Sequence, residues 1–538
     1  MTVVRRLLVL FAFIVLPAVG SVFASAPNIY ITQSGSSSGN CTANVQTPAF
    51  FNNSSNWGSG SSQIGPGTTV LICGTFSGAG GATEFAFQGS GVNGNPVVLK
   101  FDSGAQLTAP YWSGNGAINC SNRSYIVVDG GTNGRIQNTA NGTSLANHQT
   151  STGFYGSNCT NSEVKNLIIS NIYVNQGSNS GASDTGGANT TDIVFNGNAT
   201  NSKADHNTVS QAKTGIQFAG DPNGDASNIQ IYSNTISDMD WGVNVGGGDG
   251  GDTFNNVSIY DNTITNWTNW QFPTGAYHQD GIILFNVGNP SAGITANIWG
   301  NNIFGDLGVG SPTGFIYCAD FSTCTIYNNV LINSGNLIYG IMWLGQSGNM
   351  GKSMYVYNNT IVANNRGDIC ITLNITNTSA IENNICTGPS GITLYGSYHS
   401  SLSSFAATVG KSNNNDWNIG SGPAFGSLAS GATASYSSWT SLGYDGNSVQ
   451  SQPTLNSSPY TLQSGSPAIG LGTNLTSLGL SALDTGAPQT FGAGGSCGNE
   501  CLSRSSSGTW DAGAYPYSSS PVGTNPPAPP TDLTAIVH

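Results

Sequence analysis

The sequence predicts an all-β solenoid in which short strands stack coil upon coil. Three observations predict it. First, a unit repeats: NIQIYSNTIS at 228–237 is answered by NVSIYDNTIT at 256–265, and WGVNV at 241–245 by DGIIL at 280–284. Second, one asparagine aligns along the middle of the chain, at Asn166, Asn207, Asn234, Asn262, Asn302, Asn329, Asn359 and Asn384. The intervals of 41, 27, 28, 40, 27, 30 and 25 residues lie in the range of repeat architectures, the long ones being a repeat plus an insertion. Third, each unit holds short alternating apolar runs bounded by turn residues and no helical period.

Each unit supplies three strands. One precedes the asparagine (Ile229–Tyr232, Val257–Tyr260) and one follows it (Thr235–Ser237, Thr263–Thr265). A third is led by glycine, at Gly215, Gly242, Gly281, Gly314, Gly340 and Gly391. Three strands per coil is a parallel β-helix, in which stacking gives every strand neighbours at about 4.8 Å. Asparagine suits the turn because it tolerates left-handed backbone angles and its amide can pair with the next coil. The column is therefore structural.

The repeat, the asparagine turn and the glycine-led strand resemble the right-handed β-helix, pectate-lyase-like superfamily over roughly residues 27–515. That superfamily contains lyases, hydrolases, esterases, epimerases and adhesins, so the resemblance implies fold and a polysaccharide setting rather than one reaction.

In chain order, Met1–Ala26 reads as a secretory signal, with Arg5-Arg6, the apolar run Leu7–Val19 and the small residues Ala24-Ser25-Ala26. The expectation is an exported, bacterial, monomeric protein without a membrane span. Residues 27–115 should form an N-terminal cap with first strands, 116–397 the regular coils, 398–517 irregular coils and a closing cap, and 518–538 a Pro/Ser-rich tail. Trp417 and Trp439 are expected as packing anchors. The ending Leu462-x-x-Gly-Ser-Pro-Ala-Ile, Asp484-x-Gly, Asp511-x-Gly-Ala-Tyr515 looks like the closing segment of many secreted bacterial β-helix proteins. It argues against a catalytic Asp511. The tail reads as an extended linker, and Pro529–Val537 resembles the first strand of a fibronectin type III module.

Ten cysteines fit export. Sequence leaves the pairing open; the expected set is Cys41–Cys73, Cys120–Cys159, Cys318–Cys324, Cys370–Cys386 and Cys497–Cys501. Only 7% of residues are charged and the net charge is −13, which disfavours nucleic acid as a partner.

The sharpest constellation is His278-Gln-Asp280-Gly281. Asp280 resembles the catalytic Asp of the Asn-Thr-Asp-Gly motif in polygalacturonase-type hydrolases, at that position only: Thr313-Gly314 stands where an Asp-Asp pair would follow. Aligning the glycines puts Asp240 level with Gln279 and Lys213 level with Asp240. Asp240 and Asp280 would then lie on the order of 5–7 Å apart, near the spacing of a glycosidase carboxylate pair, with His278 tuning either or relaying a proton. The insertion before Gly281 carries Trp267, Trp270 and Tyr277, which with Trp241 and Lys213 make a candidate wall for stacking sugars.

Asp221 and Asp225 face Asp249 and Asp252 on adjacent coils, an all-oxygen set that would suit Ca²⁺, though solvated turn aspartates are the plainer reading. The chemistry expected is glycoside-hydrolase cleavage of extracellular polysaccharide by the Asp240–Asp280 pair. The alternatives are a non-catalytic glycan-binding or matrix protein and a Ca²⁺-dependent polysaccharide lyase. The acidic charge favours neutral glycans. So apolar an outer face on the glycine-led strand, read as Ile283, Ile316 and Met342, favours the non-catalytic alternative.

Overall fold

A computed structural model describes residues 28–517, apart from 141–148, 173–189, 221–224, 247–252, 268–277, 286–292, 308–310, 479–503 and positions 321, 337, 349, 458–459 and 505–506. The expected signal, the Cys497–Cys501 pair and the tail lie outside the described residues.

The chain is a right-handed parallel β-helix. One sheet takes a single strand from each coil, running from Asn28–Ile31 through Gln230–Tyr232 and Thr323–Tyr327 to Val409–Asn413. A second, bent sheet takes two strands per coil. Pairing is parallel throughout the stack, as coil-on-coil winding requires; the exception among paired strands is the short contact of Phe425–Ser427 with Thr433–Ala434. Stacking starts at Asn28–Ile31 on Thr69–Ile72, so residues 28–115 already form coils. Phe51, on the short helix Pro48–Asn52, packs edge-on to Trp57, Phe85 and Phe87. The lumen is a single apolar cluster that includes Trp112, Trp417 and Trp439, all fully buried.

The asparagine column exists, with two corrections. Its members are Asn207, Asn234, Asn262, Asn301, Asn329, Asn359, Asn384 and Asn415, each buried. Each Oδ1 accepts from the backbone N–H of the residue one coil earlier; the amide of Asn301, for example, donates to Asn329 Oδ1 at 3.0 Å. Asn302 begins the following strand and Asn166 is the left-handed residue (φ 57°) before the column. At 301–302 two adjacent asparagines made the alignment slip by one; at 166 the column position is held by Leu167, whose N–H donates to Asn207 Oδ1. A second ladder, on the surface, joins Asn161, Asn201, Asn228 and Asn256 by amide bonds of 2.8–3.0 Å.

Glycine leads the third strand because coils approach closely there. A Cβ on Gly242 would lie 2.5 Å from the Gly281 carbonyl, and one on Gly281 2.4 Å from that of Phe315. After the glycines, Val243, Ile282, Ile316 and Met342 share one register and point into the core. Ile283 is level with Tyr317 and Trp343 instead, so the expected outer set Ile283, Ile316, Met342 mixed two faces. The register shifts after Gln279, and one residue of slip exchanges the faces of a strand.

The ending is not a lid on the last coil. It folds back as a strap along the flank of the coils, over the left-handed asparagines of successive turns. Asn358 Nδ2 donates to the Asp511 carbonyl, Asn383 Nδ2 to that of Thr473 and Asn414 Nδ2 to that of Leu471, at 2.8–3.0 Å. Arg504 bonds Asn328 and the Gly513 and Ala514 carbonyls. Asp511 accepts from the Gly470 and Tyr517 amides, a structural use of its carboxylate.

Three expected disulfides form: Cys41–Cys73, Cys120–Cys159 and Cys370–Cys386. Cys318 and Cys324 are instead buried thiols in contact, facing each other from the two sheets across one corner. No helix among the described residues is long and apolar enough to cross a membrane.

Candidate functional site

The strand His278–Leu284 carries the site. Its first residues alternate: His278 and Asp280 look outward, while Gln279 is wholly buried. His278 Nδ1 lies 2.5 Å from Asp280 Oδ2. The carboxylate is fully buried, whereas the imidazole is 34% exposed. A carboxylate only accepts, so Nδ1 donates to it and the lone pair of the neutral ring is on Nε2. The Gly314 amide donates to Asp280 Oδ1 at 3.3 Å. Burial pulls the imidazole down, but the charge and hydrogen bond of Asp280 outweigh it, and His278 titrates above the ordinary histidine value.

Side chains from adjacent coils fix this pair. The Trp241 indole N–H donates to the His278 carbonyl at 2.6 Å and the Trp267 N–H to the Asp280 carbonyl at 2.9 Å. The Trp241 ring lies 6.0 Å from the imidazole and the Tyr317 ring 5.7 Å. Lys213 Nζ sits 5.1 Å from the centre of the Trp241 ring. Burial pushes the Tyr317 phenol far up, with Asp280 and Asp320 adding to it, so the hydroxyl stays protonated. Above Tyr317 the outer column continues to Trp343.

The carboxylate pair expected from the sequence is not assembled. The register sets Trp241 against Asp280, which leaves Asp240 beside Gln279. Gln279 Nε2 donates to Asp240 Oδ1 at 3.3 Å, and both residues are buried. Neighbouring positions on an extended strand face opposite ways, so Asp240 and Asp280 are turned from each other. Trp267 is also a correction: it is 6% exposed and its ring packs 5.4 Å from Phe315 in the core, so it supports the strand and offers no stacking face. Trp241 keeps a partly exposed ring, and Lys213 is nearly buried beside it.

Trp270 and Tyr277 lie outside the described residues, as do Asp221, Asp249 and Asp252. Asp225 opens the strand Asp225–Ser227, paired with the one starting at Thr253. Among the described residues no three His, Cys, Asp or Glu side chains converge on a cation position.

Sequence reasoning missed Tyr317 and Trp343. Gly314-Phe-Ile-Tyr317 was visible, but alignment on the glycines assigned the outward position to Ile316. The register shift at Gln279 moves it to Tyr317.

No known protein family matches the chain, and no curated protein matches it. Among solved structures, pectate lyase Pel9A is similar over 88% of this chain and 97% of its own, at 13% identity and a TM-score of 0.41. The PL6 family alginate lyase AlyGC is similar over 69% of this chain, at 13% identity and a TM-score of 0.34; this chain spans about half of its length (51%). A mannuronic acid specific family 6 lyase from human gut microbiota is similar over 72% of this chain and 86% of its own, at 12% identity and a TM-score of 0.36.

Proposed function

We propose that the chain cleaves an extracellular polyuronate by β-elimination, with His278 as the base. The observation that carries this reading is the 2.5 Å contact between His278 and the buried Asp280. It holds the imidazole in one tautomer, with the lone pair of the neutral ring on Nε2. One other group needed for elimination stands near it: Lys213, beside Trp241, pairs with the substrate carboxylate. Tyr317, 1% exposed, packs against the imidazole and positions it.

The step then runs as follows. His278 Nε2 takes the C5 proton alpha to the carboxylate. Charge developing on that carboxylate is held by Lys213. The C4–O bond breaks, a C4=C5 double bond forms, and the leaving oxygen takes a proton from solvent. Hydrolysis by a carboxylate pair has no comparable support, since Asp240 is engaged with Gln279.

The test is incubation with pectate, alginate and neutral glycans, following absorbance of the unsaturated product. Loss of product in His278→Ala and Lys213→Ala is expected. New reducing ends without unsaturation would overturn elimination in favour of hydrolysis. Glycan binding unaffected by these substitutions and without cleavage would favour the non-catalytic reading, and cleavage of neutral glycans alone would fit the net charge of −13 better than a polyuronate does.

A further inference from the structure

On the sheet away from the His278 site, the residue before each turn is aromatic for several coils. Tyr232, Tyr260, Trp299 and Tyr327 stack nearly parallel, within 4°, at centroid spacings of 4.8, 4.3 and 5.6 Å. Leu475 and Trp510 of the strap cover the upper end at Tyr327 and Tyr357. Tyr232, Tyr260 and Trp299 continue that same surface, half-buried.

The faces of these rings are spent on each other, so edges and polar tips point outward. A pyranose needs an open aromatic face, which this array lacks. A polyproline II segment needs what it has: ridges between ring edges for proline rings, and a donor for its unpaired carbonyls. The Trp299 indole N–H makes no hydrogen bond to any described residue. Burial lifts the Tyr260 phenol to about 12, so it remains neutral.

The chain contains such a segment, Asn525-Pro-Pro-Ala-Pro-Pro530, with Pro526/Pro529 and Pro527/Pro530 three apart. We propose that residues 525–530 dock on the Tyr232–Tyr260–Trp299 ladder and so extend the strap along the flank. The strap's last described residue, Tyr517, is tied to Asp511. Tyr517 packs against the cluster of Ile385, three coils from the coil of Trp299, about 14 Å along the axis at ~4.8 Å per coil; the seven intervening residues span roughly 20 Å at ~3.1 Å each.

The experiment titrates a synthetic 518–538 peptide into the chain ending at Tyr517 and into the full chain, by calorimetry. Binding to the shortened chain is expected, and about tenfold weaker binding to the full chain, whose own tail competes at an effective concentration of ~1 mM for a Kd of ~100 µM. Trp299→Phe, which keeps the stack and removes the N–H, should weaken binding; alanine at the four prolines should abolish it. Failure to bind the shortened chain overturns the proposal. So does equal binding to both chains, which would leave the ladder open to another molecule's segment, or indifference to both substitutions.

Discussion

Asn329→Ala tests whether the buried asparagine column holds the coils together. Asn329 is fully buried and uses both ends of its amide. Oδ1 accepts from the Asn301 backbone N–H at 3.0 Å and its Nδ2 at 2.9 Å; Nδ2 donates to the carbonyls of Ile298 and Tyr327 and to Asn359 Oδ1, at 3.0–3.1 Å. Some partners keep other bonds. The Asn301 Nδ2 still reaches the Ile259 and Trp299 carbonyls, and the Tyr327 carbonyl still accepts from Gly300. The Asn301 N–H and the bond to the Ile298 carbonyl are lost outright. At ~1–3 kcal/mol for each of these two buried groups, the substitution costs about 2–6 kcal/mol.

The control is Asn256→Gly, which removes an exposed amide bond to Asn228 and keeps the left-handed backbone (φ 56°) at ease; it should cost under about 1 kcal/mol. A solenoid loses order between neighbouring coils first, so amide exchange is the assay. Protection should fall in residues 294–362 of the Asn329 variant, with a matching drop in the denaturant midpoint. Equal losses in the two variants would refute the claim that the column, and not the strands alone, fastens the stack.

His278 acts as a base only when neutral and titrates above its ordinary value, so turnover should rise with pH through a limb above about 6.5. Asp280→Asn removes the raising charge and leaves burial, so the limb should move down and the rate fall; a fixed limb breaks the link between them. Asp416 is buried beside Ile385 beneath the strap, and burial lifts it to about 7. Its native pKa exceeds its unfolded one, so the native state favours the proton. Stability from this group is full below about pH 4, is lost as pH rises to about 7, by up to roughly 4 kcal/mol, and is flat above. Denaturant midpoints of Asp416→Asn should lack this slope. Burial raises Cys318 well above the ordinary thiol value, and it faces Cys324. Iodoacetamide should therefore label both only after unfolding; a Cys318–Cys324 disulfide in the native chain would contradict this.

The fold was legible because a solenoid writes its geometry as repetition. Each coil needs a left-handed turn followed by a residue whose amide reaches the next coil, and asparagine serves both. The same versatility caused the slips: at 301–302 asparagines occupy adjacent positions and spacing alone does not say which is the buried member, while at 166 the asparagine is the left-handed residue and Leu167 holds the column position. The strap was half legible. Its composition marked an ending, but docking depends on side chains of Asn358, Asn383 and Asn414, which look like any other turn asparagine in sequence.

The site was legible at one residue and lost at the next. His278 and Asp280 are two apart on one strand, so their shared face follows from the strand period without any knowledge of register. Asp240 and Asp280 are on different coils, and their relation turns on register to the residue. Level with Gln279, Asp240 belongs to the inner side, and the pair dissolves although the vertical distance was right. Tyr317 is the converse case: a shift of one position after Gln279 brings it to the outer column beside His278. Along a strand, sequence period alone assigns faces. Between coils, a bulge of one residue exchanges them, and only the hydrogen-bonded register says which side chains meet.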